Sequence, residues 1–362
     1  LAWLAFETGR AHEAERWIEQ SVDAFTEIGD SGGLGWALGL SAWVKLHLGA
    51  RDEAVEVANR LLPDSRSRGD HWAEAMMRML LASGHLWSGR ATTSLDPAER
   101  AQELFERTGD DGGVAQARVT QARALLMRGR ADEAFGLIES TLGGAERTRG
   151  EGFDPDRTGL IGGVLGAVAV GDPLRAQGLI DHLDGAGLDL DEIGGVDLVS
   201  GLSLAHLQKG ELAEAGALVD RLDLDAADTS PALAAAGALV DVARGSADSA
   251  RRLAESVPEA MRSTFLDRAQ AAMAMGLLAA AEGDPAASTV WFDRAESELS
   301  ASDDRLDKAV VALARAEATA ALGVDDAPAF AEAADRAWRS MELDPAGWRT
   351  AFAVCLDPAL TG

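Results

Sequence analysis

One cysteine, three lysines, no tyrosine and no long apolar run mark this 362-residue chain, and each scarcity closes off a class of protein. The lone Cys355 can build neither an internal disulfide nor a thiolate metal cluster, so nothing asks for an oxidising compartment and the cytoplasm is the expected location. No basic segment followed by an apolar one opens the chain, and no apolar run reaches spanning length, so neither secretion nor a membrane partner is expected. Basic side chains number 33 against 60 acidic ones, a net charge of -27 that repels phosphate backbones and anionic lipid and argues against direct nucleic-acid binding. Disorder is excluded by a hydrophobic content of 47%.

Recognisable chemistry is also scarce. No glycine-rich phosphate loop ends in Lys and Ser or Thr, and Lys45, Lys209 and Lys308 all lie outside such a context. His12-Glu13 lacks a second His one turn on, where Arg16 stands, and no Gly-x-Ser-x-Gly elbow is present. Asp189, Asp191, Glu192 and Gly194 resemble the start of a calcium loop, but Ile193 takes a ligand position and no Glu closes it. The six histidines never place two ligands on one helix face. No catalytic residue, metal or cofactor is therefore expected, and an enzyme survives only as a site assembled from residues far apart in the sequence.

What the chain does have is a period. Gly9, Gly49, Gly89, Gly129, Gly171, Gly210, Gly245, Gly283 and Gly323 are spaced by 40, 40, 40, 42, 39, 35, 38 and 40 residues. Seven residues before each lies a small-residue column, Ala2, Ala42, Ala82, Ala122, Val164, Ser203, Ala238, Gly276 and Ala316, and four further on an apolar one that begins Phe6, Leu46, Leu86. Four residues apart, the two columns share one helical face and form an inner seam. Five residues after the glycine comes Ala14, Ala54, Ala134, Ala176, Ala215 and Ala250, with Ser94, Ser288 and Pro328 as exceptions, and a second helix begins there. A glycine inside a helix costs about 1 kcal/mol relative to Ala, so glycines at fixed phase read as helix ends. Gly29-Asp30, Gly69-Asp70 and Gly109-Asp110, with Gly150-Glu151 in the fourth unit, close one helix and cap the next.

Phrases such as Gly49-Ala50-Arg51-Asp52-Glu53-Ala54 and Gly129-Arg130-Ala131-Asp132-Glu133-Ala134 resemble the tetratricopeptide repeat (TPR), in which a glycine closes the first helix and a small residue packs the second. The resemblance covers nearly the whole chain and implies an all-α, right-handed α-solenoid of about nine helical hairpins. The period is near 40, not the family's usual 34, and aliphatic residues replace most of its aromatics. Turns such as Gly109-Asp110-Asp111-Gly112-Gly113-Val114-Ala115, and the tail Leu343 to Phe352, are similar to the C-terminal arms of large bacterial signal-transduction ATPases with cyclase or LuxR-type output. That likeness implies a sensor arm whose partner is a protein, a peptide or the attached ATPase and output domains, with a small-molecule effector as a further option. A freestanding adaptor is the alternative. The opening at Leu1, without an initiator Met and already inside an apolar pattern, reads as a segment of a longer chain.

Residues 1–362 read as one superhelical domain with a hinge at 143–158, dividing a Trp-rich part (1–142) from a Gly/Ala-rich part (159–362). In the third unit, Ala91 to Leu95 read as a longer loop before a helix starting at Asp96-Pro97. Repeats of this kind line their concave surface with the first helices. Aligning the glycines puts Trp3 and Trp43 at one equivalent position, with Trp36, His47, Met76, Met79, Ser83, Trp87, Arg123 and Met127 at neighbouring phases. An aromatic and Met-rich binding groove in the first three or four units is the expectation, since Trp and Met supply large, adaptable contact area. Packing between hairpins is the competing use of the same residues.

Overall fold

The computed structural model describes residues 1–7, 10–142, 155–185, 195–221, 230–260 and 262–357. Among the described residues the chain forms nineteen helices and no strand. Eighteen pair into nine hairpins: α1 (Ala2–Glu7) with α2 (Ala11–Ile28), α3 (Ser31–His47) with α4 (Arg51–Ser67), α5 (His71–Trp87) with α6 (Ala91–Thr108), α7 (Asp111–Met127) with α8 (Ala131–Glu139) and α9 (Pro155–Ala169) with α10 (Pro173–Gly185). The series continues with α11 (Gly195–Lys209) and α12 (Leu212–Asp220), α13 (Pro231–Ala243) and α14 (Ala247–Ser256), α15 (Phe265–Ala281) and α16 (Pro285–Ser300), and α17 (Leu306–Ala321) and α18 (Ala327–Arg339). A last helix, α19 (Ala346–Cys355), stands outside the pairing.

The two small columns meet inside each hairpin. Ala42, Ala82, Ala122, Val164 and Ala238 on first helices, and Ala54, Ala134, Ala176 and Ala250 on second helices, are all fully buried. Where Ser replaces Ala on the second helix, its hydroxyl donates to the carbonyl it faces: Ser94 Oγ to Ala82 O at 2.8 Å and Ser288 Oγ to Gly276 O at 3.0 Å. Backbones this close leave no room for a large side chain and no buried hydroxyl without a partner. The glycines from Gly49 to Gly323 hold φ between 66° and 92°, as left-handed helix ends. Asp30, Asp70 and Asp110 accept from Gly33, Ala73 and Gly113 N–H as helix caps.

The third unit corrects one expectation. No loop precedes Asp96; α6 starts at Ala91, directly after Gly89-Arg90, and carries Pro97 inside it. The start is stabilised from far away: the Asp303 carboxylate accepts from Ala91 N at 2.7 Å and Thr92 N at 2.9 Å. Residues 143–154 of the expected hinge, Gly150-Glu151 and the Asp189 to Gly194 segment lie outside the described residues.

Asp303 belongs to a wider closure, in which turns of the later units sit on turns of the earlier ones. Arg51 donates to Arg262 O and Ser263 O at 2.8 and 3.0 Å, Arg305 N to Met127 O at 2.6 Å, and Gly347 N to Gly171 O at 3.2 Å. The approach is tight enough that a Cβ on Gly89 would stand 2.6 Å from Ser302 Cβ. Meanwhile α19 packs across four successive first helices, α11, α13, α15 and α17, burying Trp348, Phe352 and Cys355. Nearly every residue of α13 is buried as a result. The first-helix face of the later units is thus covered by the chain's own end, and the open part of that face belongs to the first units.

Candidate functional site

Within the first units, α3, α4 and α5 enclose an apolar crevice. Gly35 and Gly39, one turn apart on α3, leave its mouth open; a Cβ on Gly39 would stand 2.9 Å from Met77 Cε. Leu40 and Trp43 continue the α3 wall, Leu61 comes from α4, and Trp72, Met76 and Met77 form the α5 wall. At the rim Trp36 lies flat on Trp72, ring centroids 4.8 Å apart and planes 12° from parallel. Trp36 is nevertheless 50% exposed, one of the most exposed large apolar side chains described. Trp72 is fixed from behind, since its Nε1 donates to Asp110 Oδ2 at 2.8 Å across the next unit boundary. The stack therefore presents a rigid indole face to solvent.

Polar groups at the crevice are few. Arg68 pairs with Asp64 one turn before it, so the rim carries a guanidinium and a carboxylate side by side. Trp43 is only 6% exposed and its buried Nε1 has no hydrogen-bond partner. An unsatisfied buried N–H costs roughly 1–3 kcal/mol and is rare enough to need a reason.

The expected groove residues divide. Trp36 and Met76 line the crevice, and Trp43 forms part of its wall. At the other end of α3, His47 Nδ1 lies 3.0 Å from Trp43 O, and its ring meets Trp87 edge to face at 5.6 Å. Trp87 and Met127 pack half-buried against Leu86, Ala91 and Ala124. Met79 is fully buried and Ser83 nearly so; both pack inside, because their phase on α5 points into the hairpin. Arg123 is exposed on α7 and close enough to Asp307 of α17 to oppose the rise that burial imposes on that carboxyl's pKa. The Trp3 side chain lies outside the described residues.

Trp72, Arg68 and Asp64 also line the crevice and stand outside the positions that the repeat glycines pick out. Trp72 occupies the first turn of α5 and Trp36 the second turn of α3; counted from the glycine that follows each helix they differ by four residues, so they share a helical face but not a repeat position. Adjacent first helices are staggered, and only the stagger brings the two rings together.

No family model matches the sequence, and no curated protein matches it. Among solved structures, the apo form of the quorum sensor NprR from B. thuringiensis is similar, with a TM-score of 0.55 over 82% of this chain and 85% of that one, at 13% identity. The chain is a TPR-like helical-repeat solenoid. At that identity the likeness is one of fold. Among the described residues no helix is long and apolar enough to cross a membrane, and no three His, Cys, Asp or Glu side chains are grouped to hold a metal ion.

Proposed function

We propose that this chain is a recognition module that seats a peptide, or an extended segment of a protein, in the crevice between α3, α4 and α5. The observation that carries the reading is Trp36, half exposed and stacked on an anchored Trp72 above an apolar crevice whose wall holds an unpartnered indole N–H. Preformed aromatic shelves bind well because little side-chain entropy is lost on contact, and Trp is the residue most enriched among energetic anchors of interfaces. Peptide carbonyls match the lone donor of Trp43, apolar side chains match the Leu40 and Met76 walls, and the Arg68–Asp64 pair fixes direction.

In this reading the module is the regulatory arm of a larger cytoplasmic signalling protein, conveying ligand binding to an ATPase and output domain. A solenoid suits that work, since neighbouring units stack on one another and the closure from Asp303 to Ala91 links the eighth unit back to the third, next to the crevice. That a protein of the same fold is a quorum sensor agrees with a signalling role. To test the reading, random heptapeptides are selected on the purified chain and the complex is mapped by amide hydrogen exchange. Protection is expected at residues 35–43 and 68–77; protection confined to the outer faces of α2, α4 and α6 would overturn it.

A further inference from the structure

A second cleft, of about 490 Å³, lies where the late units fold over the fifth. One side is the start of α8, another the turn from Val170 to Arg175, and the third the segment from Glu342 to Thr350 that leads into α19. It is far from the tryptophan stack in sequence and shares no lining residue with it.

Its polar lining is lopsided. Four carboxylates, Asp132, Asp172, Glu342 and Asp344, face one guanidinium, Arg175. That cation is already engaged, 3.7 Å from Asp172 and 4.0 Å above the Phe135 ring. Asp344 caps the start of α19 by accepting from Ala346 N. Asp132 and Glu342 have no cationic partner among the described residues. Acidic clusters are common on a chain of this charge, and the cluster alone would signify nothing.

The independent observation is Gln208. It is 2% exposed, it lines the cleft, and its amide is oriented by a bond from Nε2 to Val168 O at 2.8 Å. That bond leaves Oε1 as a buried acceptor with no donor. An unsatisfied acceptor on a residue that lines a carboxylate-rich cleft asks for a ligand rich in N–H donors and positive charge.

We propose that this cleft is a binding site for an alkylammonium ligand, a small di- or polyamine whose charged nitrogens lie between Asp132 and Glu342 and donate to Gln208 Oε1. Primary ammonium groups carry three donors and no acceptor, the complement of this lining. Because the cleft is closed by residues leading into α19, an occupied site also ties the late units to α8 and α10.

The test is calorimetric titration of the whole chain with spermidine at about 0.15 M salt, where long-range attraction to the acidic surface is screened beyond about 8 Å. Saturable one-to-one binding is expected, weakened about tenfold or more in Asp132→Asn/Glu342→Gln. The control, Glu56→Gln/Asp325→Asn, removes the same charge from exposed positions elsewhere and is expected to leave the affinity unchanged. N-acetyl-lysine amide, in a parallel titration, distinguishes a lysine side chain from a free polyamine as the source of the ammonium group. Equal losses in the two double variants, or no saturation by either probe up to about 1 mM, would overturn the proposal.

Discussion

The carboxylate of Asp303 caps the helix that starts at Ala91, 2.7 Å from its backbone N–H, although more than two hundred residues separate them. An N-cap of this kind is worth roughly 0.5–2 kcal/mol, and here it also joins the eighth unit to the third. Asp303→Ala is expected to lower the unfolding free energy by about 1–2 kcal/mol, read by urea denaturation, with faster proteolysis near residue 90. Burial pushes the Asp303 pKa up, but hydrogen bonds from Thr92 and Ala91 and the charge of Arg128 outweigh it and hold the carboxyl below its ordinary value. Its folded pKa being depressed, its contribution is complete above the unfolded value near about 4 and is lost as pH falls through the lower folded value. The wild type and Asp303→Ala should therefore converge in stability under acid.

Asp304, next in the chain, behaves oppositely. It is fully buried, and burial together with the neighbouring Asp307 carboxylate raises its pKa well above the usual carboxylate range. A raised folded pKa gives a contribution present below the unfolded value and lost as pH rises through the folded one. Asp304→Asn keeps an acceptor for Asp307 N and cannot ionise. It is expected to be at least as stable as wild type at neutral pH, the advantage disappearing below about pH 4. Thermal melts across pH would show the opposite order if Asp304 were ionised and well solvated.

Glycine substitutions separate a turn requirement from a packing requirement. Gly109 and Gly89 have the same φ, 73°, but a Cβ on Gly109 meets nothing within 4 Å and one on Gly89 meets Ser302. Gly109→Ala is expected to cost about 1–2 kcal/mol, the price of a left-handed L-residue. Gly89→Ala is expected to cost about 1–3 kcal/mol beyond that, for the forced separation of the two units. Equal losses in chemical denaturation would mean that the closure adds nothing at Gly89.

The repeat was legible in the sequence because a period needs only local information. A glycine at each helix end and a small residue at each crossing recur every forty residues, and Gly49 through Gly323 all take the conformation that the pattern requires. The closure was not legible, because the pairs Asp303–Ala91 and Arg305–Met127 obey no period and no local rule. The same cause misplaced the start of α6: Pro97 suggests a helix start when the cap supplied from afar is unseen. In the candidate crevice, Trp36 and Met76 lie where their helical phase places them, Met79 is turned into the hairpin core instead, and Trp72 is one turn out of repeat register and so was not legible.

Cys355 reports on the docking of α19. Its thiol is 1% exposed, lies 3.7 Å from Leu239 O and is pushed up to about 12 by burial. Since the thiolate is the reactive form, the native chain is expected to resist a disulfide reagent at neutral pH and to react fully once unfolded. Phe352→Ala, emptying a fully buried position on the same helix, is expected to cost about 3–5 kcal/mol and to expose the thiol. Rapid labelling of the native wild type would show that α19 is not held on α13.

The affinity of a selected heptapeptide for wild type and for Trp36→Ala, with the melting temperature of each, is the decisive comparison. Half-exposed Trp36 contributes little to the core, so the melting temperature should change little while binding weakens by about tenfold or more, some 1.4 kcal/mol. Unchanged affinity in a folded Trp36→Ala would contradict a binding crevice beneath the tryptophan stack.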